Sequence, residues 1–131
     1  MICTILGVCA VLAGTPSVHD GDTLTINGQA VRLFGIDAEE LDETNGPRAK
    51  DALRALVRGT QHVRCQLSGE KSYNRMVGVC TTSEGINLNE AMVRGGYALD
   101  CARYSGGIYR QFEPMAIRNK LTQKPYCRSK S

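Results

Sequence analysis

The sequence predicts an α+β fold around a small antiparallel barrel or sheet, and three observations predict it. Two alternating segments, residues 17–26 and 30–36, meet at Asn27-Gly28, a strong tight-hairpin signal. Behind Pro47, apolar residues recur at helical spacing (Ala49, Ala52, Leu53, Leu56, Val57) and stop at Gly59. A third apolar stripe, Val63, Cys65 and Leu67, is followed by a returning strand over residues 76–80. Strands come first and helices are interspersed, the order of an α+β domain. The 131 residues, 42% of them hydrophobic and 22% charged, suffice for one domain with a real core. No apolar run approaches the roughly 18 to 20 residues of a membrane span, and the composition excludes disordered and low-complexity chains.

Taken in order, residues 1–13 (MICTILGVCAVLA) carry no charge. They fit a secretory h-region with Val8-Cys9-Ala10 as a small-residue cleavage site, or a buried first strand or apolar arm. Residues 1–12 are therefore set apart from a domain at 13–131. The first strand pattern is broken by Asp20-Gly21-Asp22, where glycine permits a bend or a close backbone approach. Residues 38–46, acidic and irregular, read as a surface loop before the Pro47 helix, and residues 68–74 as a loop between the two later strands. Glu84-Gly85 turns the chain into a short helix at 88–94, closed by Gly95-Gly96. After the loop Ser105-Gly106-Gly107 comes a basic stretch, 108–123, expected to be helical and to be started or kinked by Pro114.

The net charge of +3 hides an asymmetry. Residues 1–43 hold seven acids against Arg32 alone, whereas residues 44–131 hold fifteen bases against six acids. A carboxylate cluster beside a cationic body suits a site that binds a cation and then a polyanion, although alternating charge on a solvated surface gives the same totals. Asp20, Asp22 and Asp37 have the oxygen chemistry that a hard dication needs, and Leu24 and Asn27 break the ligand spacing of an EF-hand. His19 and His62 read as surface or edge-strand residues.

Six cysteines favour an oxidising compartment, extracellular or periplasmic. Four of them, Cys65, Cys80, Cys101 and Cys127, allow three pairings. The expected bridges are Cys65–Cys80, because each lies in a strand of one hairpin, and Cys101–Cys127; buried free thiols are the alternative. Zinc is disfavoured, since there is no Cys-x-x-Cys pair and neither histidine lies near a cysteine pair.

Four blocks resemble the staphylococcal nuclease family in order and spacing over roughly residues 13–125. They are Val18-His19-Asp20-Gly21-Asp22-Thr23, Arg32-Leu33-Phe34-Gly35-Ile36-Asp37-Ala38-Glu39-Glu40, Tyr73-Asn74-Arg75, and residues 88–98 (LNEAMVRGGYA). The stretch 98–107 resembles exported, cysteine-bearing bacterial members. The resemblance implies a five-stranded OB-fold barrel with three helices and Ca2+-dependent hydrolysis of DNA and RNA. It implies Asp22, Asp37 and the Ala38 carbonyl as calcium ligands, Asp20 just outside them, Glu40 as general base or water-positioning group, and Arg32 and Arg75 on the scissile phosphate. Tyr73 and Tyr104 would contact substrate.

The chain departs from the family pattern at several positions. Asn74 replaces a glycine, Ala38-Glu39-Glu40 lacks the usual proline and leaves Glu39 as a rival base, Ser72 replaces a lysine, and Ala102 replaces one of two tyrosines. Alternatives to a nuclease are a non-catalytic nucleic-acid-binding OB module and an assembly domain docking through the apolar N-terminus. The expected molecule is a monomer with no stable membrane insertion. Glu40→Ser, Arg32→Ala and Arg75→Ala are each expected to depress turnover by orders of magnitude with little effect on thermal unfolding.

Overall fold

A computed structural model describes residues 10–128. Val8 and Cys9 of the suggested cleavage site lie outside the described residues. The chain enters through β1 (Val11–Gly14), then β2 (Pro16–Asp20), β3 (Thr23–Ile26), β4 (Gln29–Leu33) and the short β5 (Ile36–Asp37). Helix α1 (Gly46–Val57) precedes the long hairpin β6 (Val63–Ser72) and β7 (Arg75–Thr82). Helix α2 (Leu88–Arg94), β8 (Leu99–Asp100) and the one-turn α3 (Ala102–Ser105) follow. A six-stranded mixed sheet runs in the order β1-β6-β7-β4-β3-β2, and β5 pairs separately with β8. A six-stranded sheet with three helices is consistent with the α+β OB-fold expected from the sequence.

Local chemistry explains most of these elements. Asn27 and Gly28 both take positive φ (50° and 78°), and Ile26 pairs directly with Gln29, so a two-residue turn joins β3 to β4. The alternating residues Leu24, Ile26, Val31 and Leu33 are all fully buried, and Ala49 and Leu53 bring the buried stripe of α1 into the same core. Cys65 stands opposite Cys80 in the β6–β7 ladder and is bonded to it, and Cys101 is bonded to Cys127. Both expected bridges form.

Helix α2 starts at Asn87, whose side chain accepts the Glu90 N–H. Its buried Asn89 accepts the Cys80 N–H and donates to the carbonyls of Phe34 and Gly78. One amide thereby ties α2 to the end of β4 and to β7, whose parallel pairing carries the site described below.

Two expectations are corrected. Residues 68–74 are not a loop, because β6 runs on to Ser72 past an irregularity between Leu67 and Lys71, and Ser72 pairs with Arg75. The turn shrinks to Tyr73-Asn74, and it is Tyr73, at φ 60°, that takes the left-handed backbone. Residues 108–123 are not a helix but irregular chain with 3₁₀ turns at Arg110–Phe112 and Ile117–Asn119. Pro114 removes a backbone donor between them, and Ala116 sits at φ 62°. The stretch instead buries Ile117 and Leu121 against Leu99 and pairs Glu113 with Arg110 and Arg118.

Candidate active site

The two arginines singled out in the sequence lie on neighbouring strands. In the parallel pairing of β4 with β7, Arg32 stands opposite Val77, and Arg75 is two residues before Val77. With the two-residue period of a strand, both side chains point to the same face.

Arg75 is held by three hydrogen bonds, donating to the Ser72 carbonyl at 3.2 Å, to Ser72 Oγ at 3.0 Å and to Thr23 Oγ1 at 3.1 Å. Ser72, where the family has a lysine, therefore serves as a rest for the guanidinium. The Thr23 hydroxyl in turn donates to Asp22 Oδ1. Arg32 reaches Asp22 Oδ2 at 3.3 Å and Asp37 Oδ1 at 3.8 Å while donating to the carbonyls of Leu33 and Ile36. A continuous polar chain thus runs from Arg75 through Thr23 and Asp22 to Arg32 and Asp37. The structure brings these residues together, along with Ala38, whose N–H donates to Asp22 Oδ2, and Asp20, which accepts the Asp22 N–H.

The carboxylates are buried behind Arg32. Burial pushes the Asp22 carboxyl up to about 6, against the pull of Arg32 and with the help of neighbouring Asp20. Burial also raises Asp37, opposed by the N–H of Lys124 and reinforced by Asp22. Asp37 Oδ1 is buried without a hydrogen-bond partner. Two close, buried carboxylates, one with an unpartnered oxygen, fit a hard divalent cation with oxygen ligands. Among the described residues there is no group of three or more His, Cys, Asp or Glu that could hold a metal, so backbone carbonyls and water would have to complete the shell.

Glycines fix the geometry by close approach. A Cβ on Gly21 would stand 2.6 Å from that of Ala49 in α1 and 2.8 Å from that of Ala38, so the Asp20–Asp22 turn is clamped between helix and acidic loop. A Cβ on Gly46 would lie 1.8 Å from the Glu40 carbonyl oxygen. Gly46→Ala is expected to displace the Glu40 loop and lower stability by about 1–3 kcal/mol, read as a fall in Tm with a parallel loss of any hydrolytic activity.

The two adjacent glutamates separate cleanly. Glu39 is buried and accepts from Asn45 N–H, Asn45 Nδ2 and Thr122 N–H, each at 2.9 Å. Burial raises its carboxyl, but these donors outweigh it and hold the group below its usual range. Glu40 is exposed, and no hydrogen bond or ion pair engages its carboxylate among the described residues. No ion pair links it to Arg32 or Arg75 among the described residues, and its charge reaches Lys124, whose N–H meets Asp37. The Glu39 carboxylate is thus taken up by amide donors, whereas that of Glu40 is not.

Sequence reasoning missed the C-terminal segment around residues 120–127. It lies along the acidic loop: the Lys120 carbonyl accepts from Asn45, the Thr122 N–H meets Glu39, the Lys124 N–H meets Asp37 Oδ2 at 3.2 Å, and Lys124 Nζ meets Glu43 at 2.6 Å. Three of the seven N-terminal acids thus hold this strap. The only available signal was the partner cysteine at 127, which forces the segment back to Cys101.

Arg32 and Arg75 open onto a cavity of about 370 Å³ also lined by Tyr73, Cys101, Tyr104 and Tyr126. Tyr73 is 93% exposed at its rim, and Tyr104 is 49% exposed. The expectation that Arg32→Ala leaves unfolding unchanged does not fit this burial. Arg32 is the cation against which two buried carboxylates are balanced.

The family model of staphylococcal nuclease homologues matches residues 30–123. The succinoglycan biosynthesis protein ExoI of Rhizobium meliloti (strain 1021) is 32% identical over 123 residues, or 86% of this chain; the chain spans only 64% of that relative's length. An uncharacterized endonuclease of Escherichia coli O157:H7 is 32% identical over 103 residues, which cover 75% of this chain and 67% of the relative. A second Escherichia coli uncharacterized endonuclease is 31% identical over the same length. The matched stretch contains both arginines, Asp37 and Glu40, and with the fold that carries them it shows that the chain belongs to the staphylococcal nuclease family.

Proposed function

We propose that this chain is a Ca2+-dependent phosphodiesterase that cuts DNA, RNA or both internally with low sequence specificity. The observation that carries the reading is two guanidiniums on adjacent strands opening on one cavity, backed by two buried aspartates, of which Asp37 has an unpartnered oxygen. Phosphodiester hydrolysis builds negative charge on the phosphoryl oxygens, and fixed guanidiniums meet that charge without reorganising. Arginine suits the task because its planar fork contacts two oxygens and stays charged.

Asp22, Asp37 and the Ala38 carbonyl would hold the cation, with Asp20 orienting Asp22. When bound, the cation supplies positive charge at the phosphate and orients the nucleophilic water. Glu40, the one loop glutamate with a free carboxylate, takes the water's proton as the water oxygen bonds phosphorus, and the ester bond breaks with the leaving sugar oxygen taking a proton from solvent. Tyr73 and Tyr104 offer ring faces to sugar or base.

The two disulfides among the described residues fit an oxidising compartment, outside the cell or in a periplasm. Among the described residues no helix is long and apolar enough to cross a membrane. Purified protein incubated with plasmid and with RNA is expected to cut in Ca2+ and to stop in chelator; absence of metal-dependent cleavage of either overturns the reading. Calcium should also raise Tm, by about 2.7 kcal/mol of stabilisation at a hundred times its Kd, and Asp37→Asn should abolish that rise.

A further inference from the structure

We propose that Tyr126 is a substrate-contacting residue, its phenol donating to a phosphate oxygen gripped by Arg32, and that the Cys101–Cys127 disulfide holds it there. The inference deepens the nucleic-acid reading of the same cavity and rests on it. Tyr126 lines the cavity beside the Arg32 guanidinium and is about half-buried, at 45% exposure. Its ring packs against Tyr104 at 6.4 Å between centroids, tilted by 59°.

The residue has no freedom to drift. The next residue is bonded to Cys101, itself a cavity-wall residue, and two residues earlier Lys124 is tied to Asp37 and Glu43. Gln123 adds a bond to the Asp100 carbonyl at 2.7 Å. The strap is thus fastened on both sides of Tyr126 to residues of the site itself.

A phenol beside a guanidinium is a neutral donor added to a cationic one, which matches a phosphodiester: two oxygens, one net charge. The family model ends at residue 123, so Tyr126 and Cys127 lie beyond the matched stretch. With Ala102 where the family has one of its tyrosines, Tyr126 supplies an aromatic hydroxyl to the same cavity from a different part of the chain.

Tyr126→Phe keeps the ring and removes only the hydroxyl. Binding of a short fluorescent single-stranded oligonucleotide, measured by anisotropy without divalent metal, is expected to weaken about tenfold, as for one lost hydrogen bond to a charged group. With metal the loss should appear in KM more than in kcat. Binding within twofold of wild type overturns the role of Tyr126.

Cys101→Ser/Cys127→Ser, with Cys65–Cys80 intact, should lose oligonucleotide binding to a similar extent while still unfolding cooperatively; wild-type binding by this variant overturns the role of the disulfide. If that variant does not fold, mild reduction of wild type followed by alkylation of Cys101 and Cys127 replaces it, with the same two outcomes. Wild-type protein that binds the oligonucleotide but never cuts would sink the hydrolytic reading and leave this inference standing. Wild-type protein that cuts while Tyr126→Phe binds normally would do the reverse.

Discussion

Arg32→Ala is expected to weaken the fold by about 3–5 kcal/mol near pH 7.5 in metal-free protein, in addition to lowering turnover at least a hundredfold. The guanidinium is nearly buried, with 12% of its side chain exposed, and lies against Asp22 and Asp37. Deleting it leaves two carboxylates in a dry environment with no cation between them. The pH dependence follows from Asp22, whose folded pKa of about 6 lies above its ordinary 3.8. A raised carboxylate is favourable to the fold when protonated, so its stabilising effect is full below about pH 4 and is lost as pH rises through about 6.

Wild-type metal-free protein should therefore lose stability between those values. The Arg32→Ala deficit should be largest at pH 7.5 and shrink toward pH 4.5. Denaturant melts at the two pH values check this; a deficit that does not change with pH would mean that the carboxylates are not what Arg32 stabilises.

Glu40→Gln is expected to lower turnover by a factor of about 10² to 10⁴ with Tm unchanged within a degree or so. The carboxylate is exposed and unengaged, so the fold loses nothing, whereas glutamine cannot accept the proton of the attacking water. Glu39→Gln should behave in the opposite way. It weakens the acceptor for Asn45 and Thr122, lowers Tm, and affects activity only through the loosened loop. A single-turnover assay beside a melt separates the two. Normal cleavage by Glu40→Gln would remove Glu40 from the chemistry even if the protein is a nuclease.

The parts legible in the sequence were those written by local chemistry. Asn27-Gly28 specified its hairpin, Pro47 and Gly59 bounded α1, and Glu84-Gly85 with Gly95-Gly96 bounded α2. The cysteine pair across β6 and β7 followed from strand register. What was not legible depended on distant segments. Glu39 and Glu40 are neighbours of identical chemistry, and only the return of Thr122, 83 positions later, decides which one stays free. Residues 108–123 had helical composition, but Pro114 and the demands of Asp100, Glu113 and Arg118 on one another prevailed over propensity. The strap was invisible because backbone groups of Lys120, Thr122 and Lys124, which carry no sequence signal, make its contacts to Asn45, Glu39 and Asp37.

The parallel ladder between β4 and β7 has a consequence for the cell that makes the protein. The spacing of the two guanidiniums belongs to neither strand: it arises when segments 43 positions apart are hydrogen-bonded side by side. No short stretch emerging from a ribosome can reproduce it, and the strap is fastened only when Cys127 reaches Cys101. The paired guanidiniums are therefore a property of the folded domain, and a fragment carrying either strand alone lacks them.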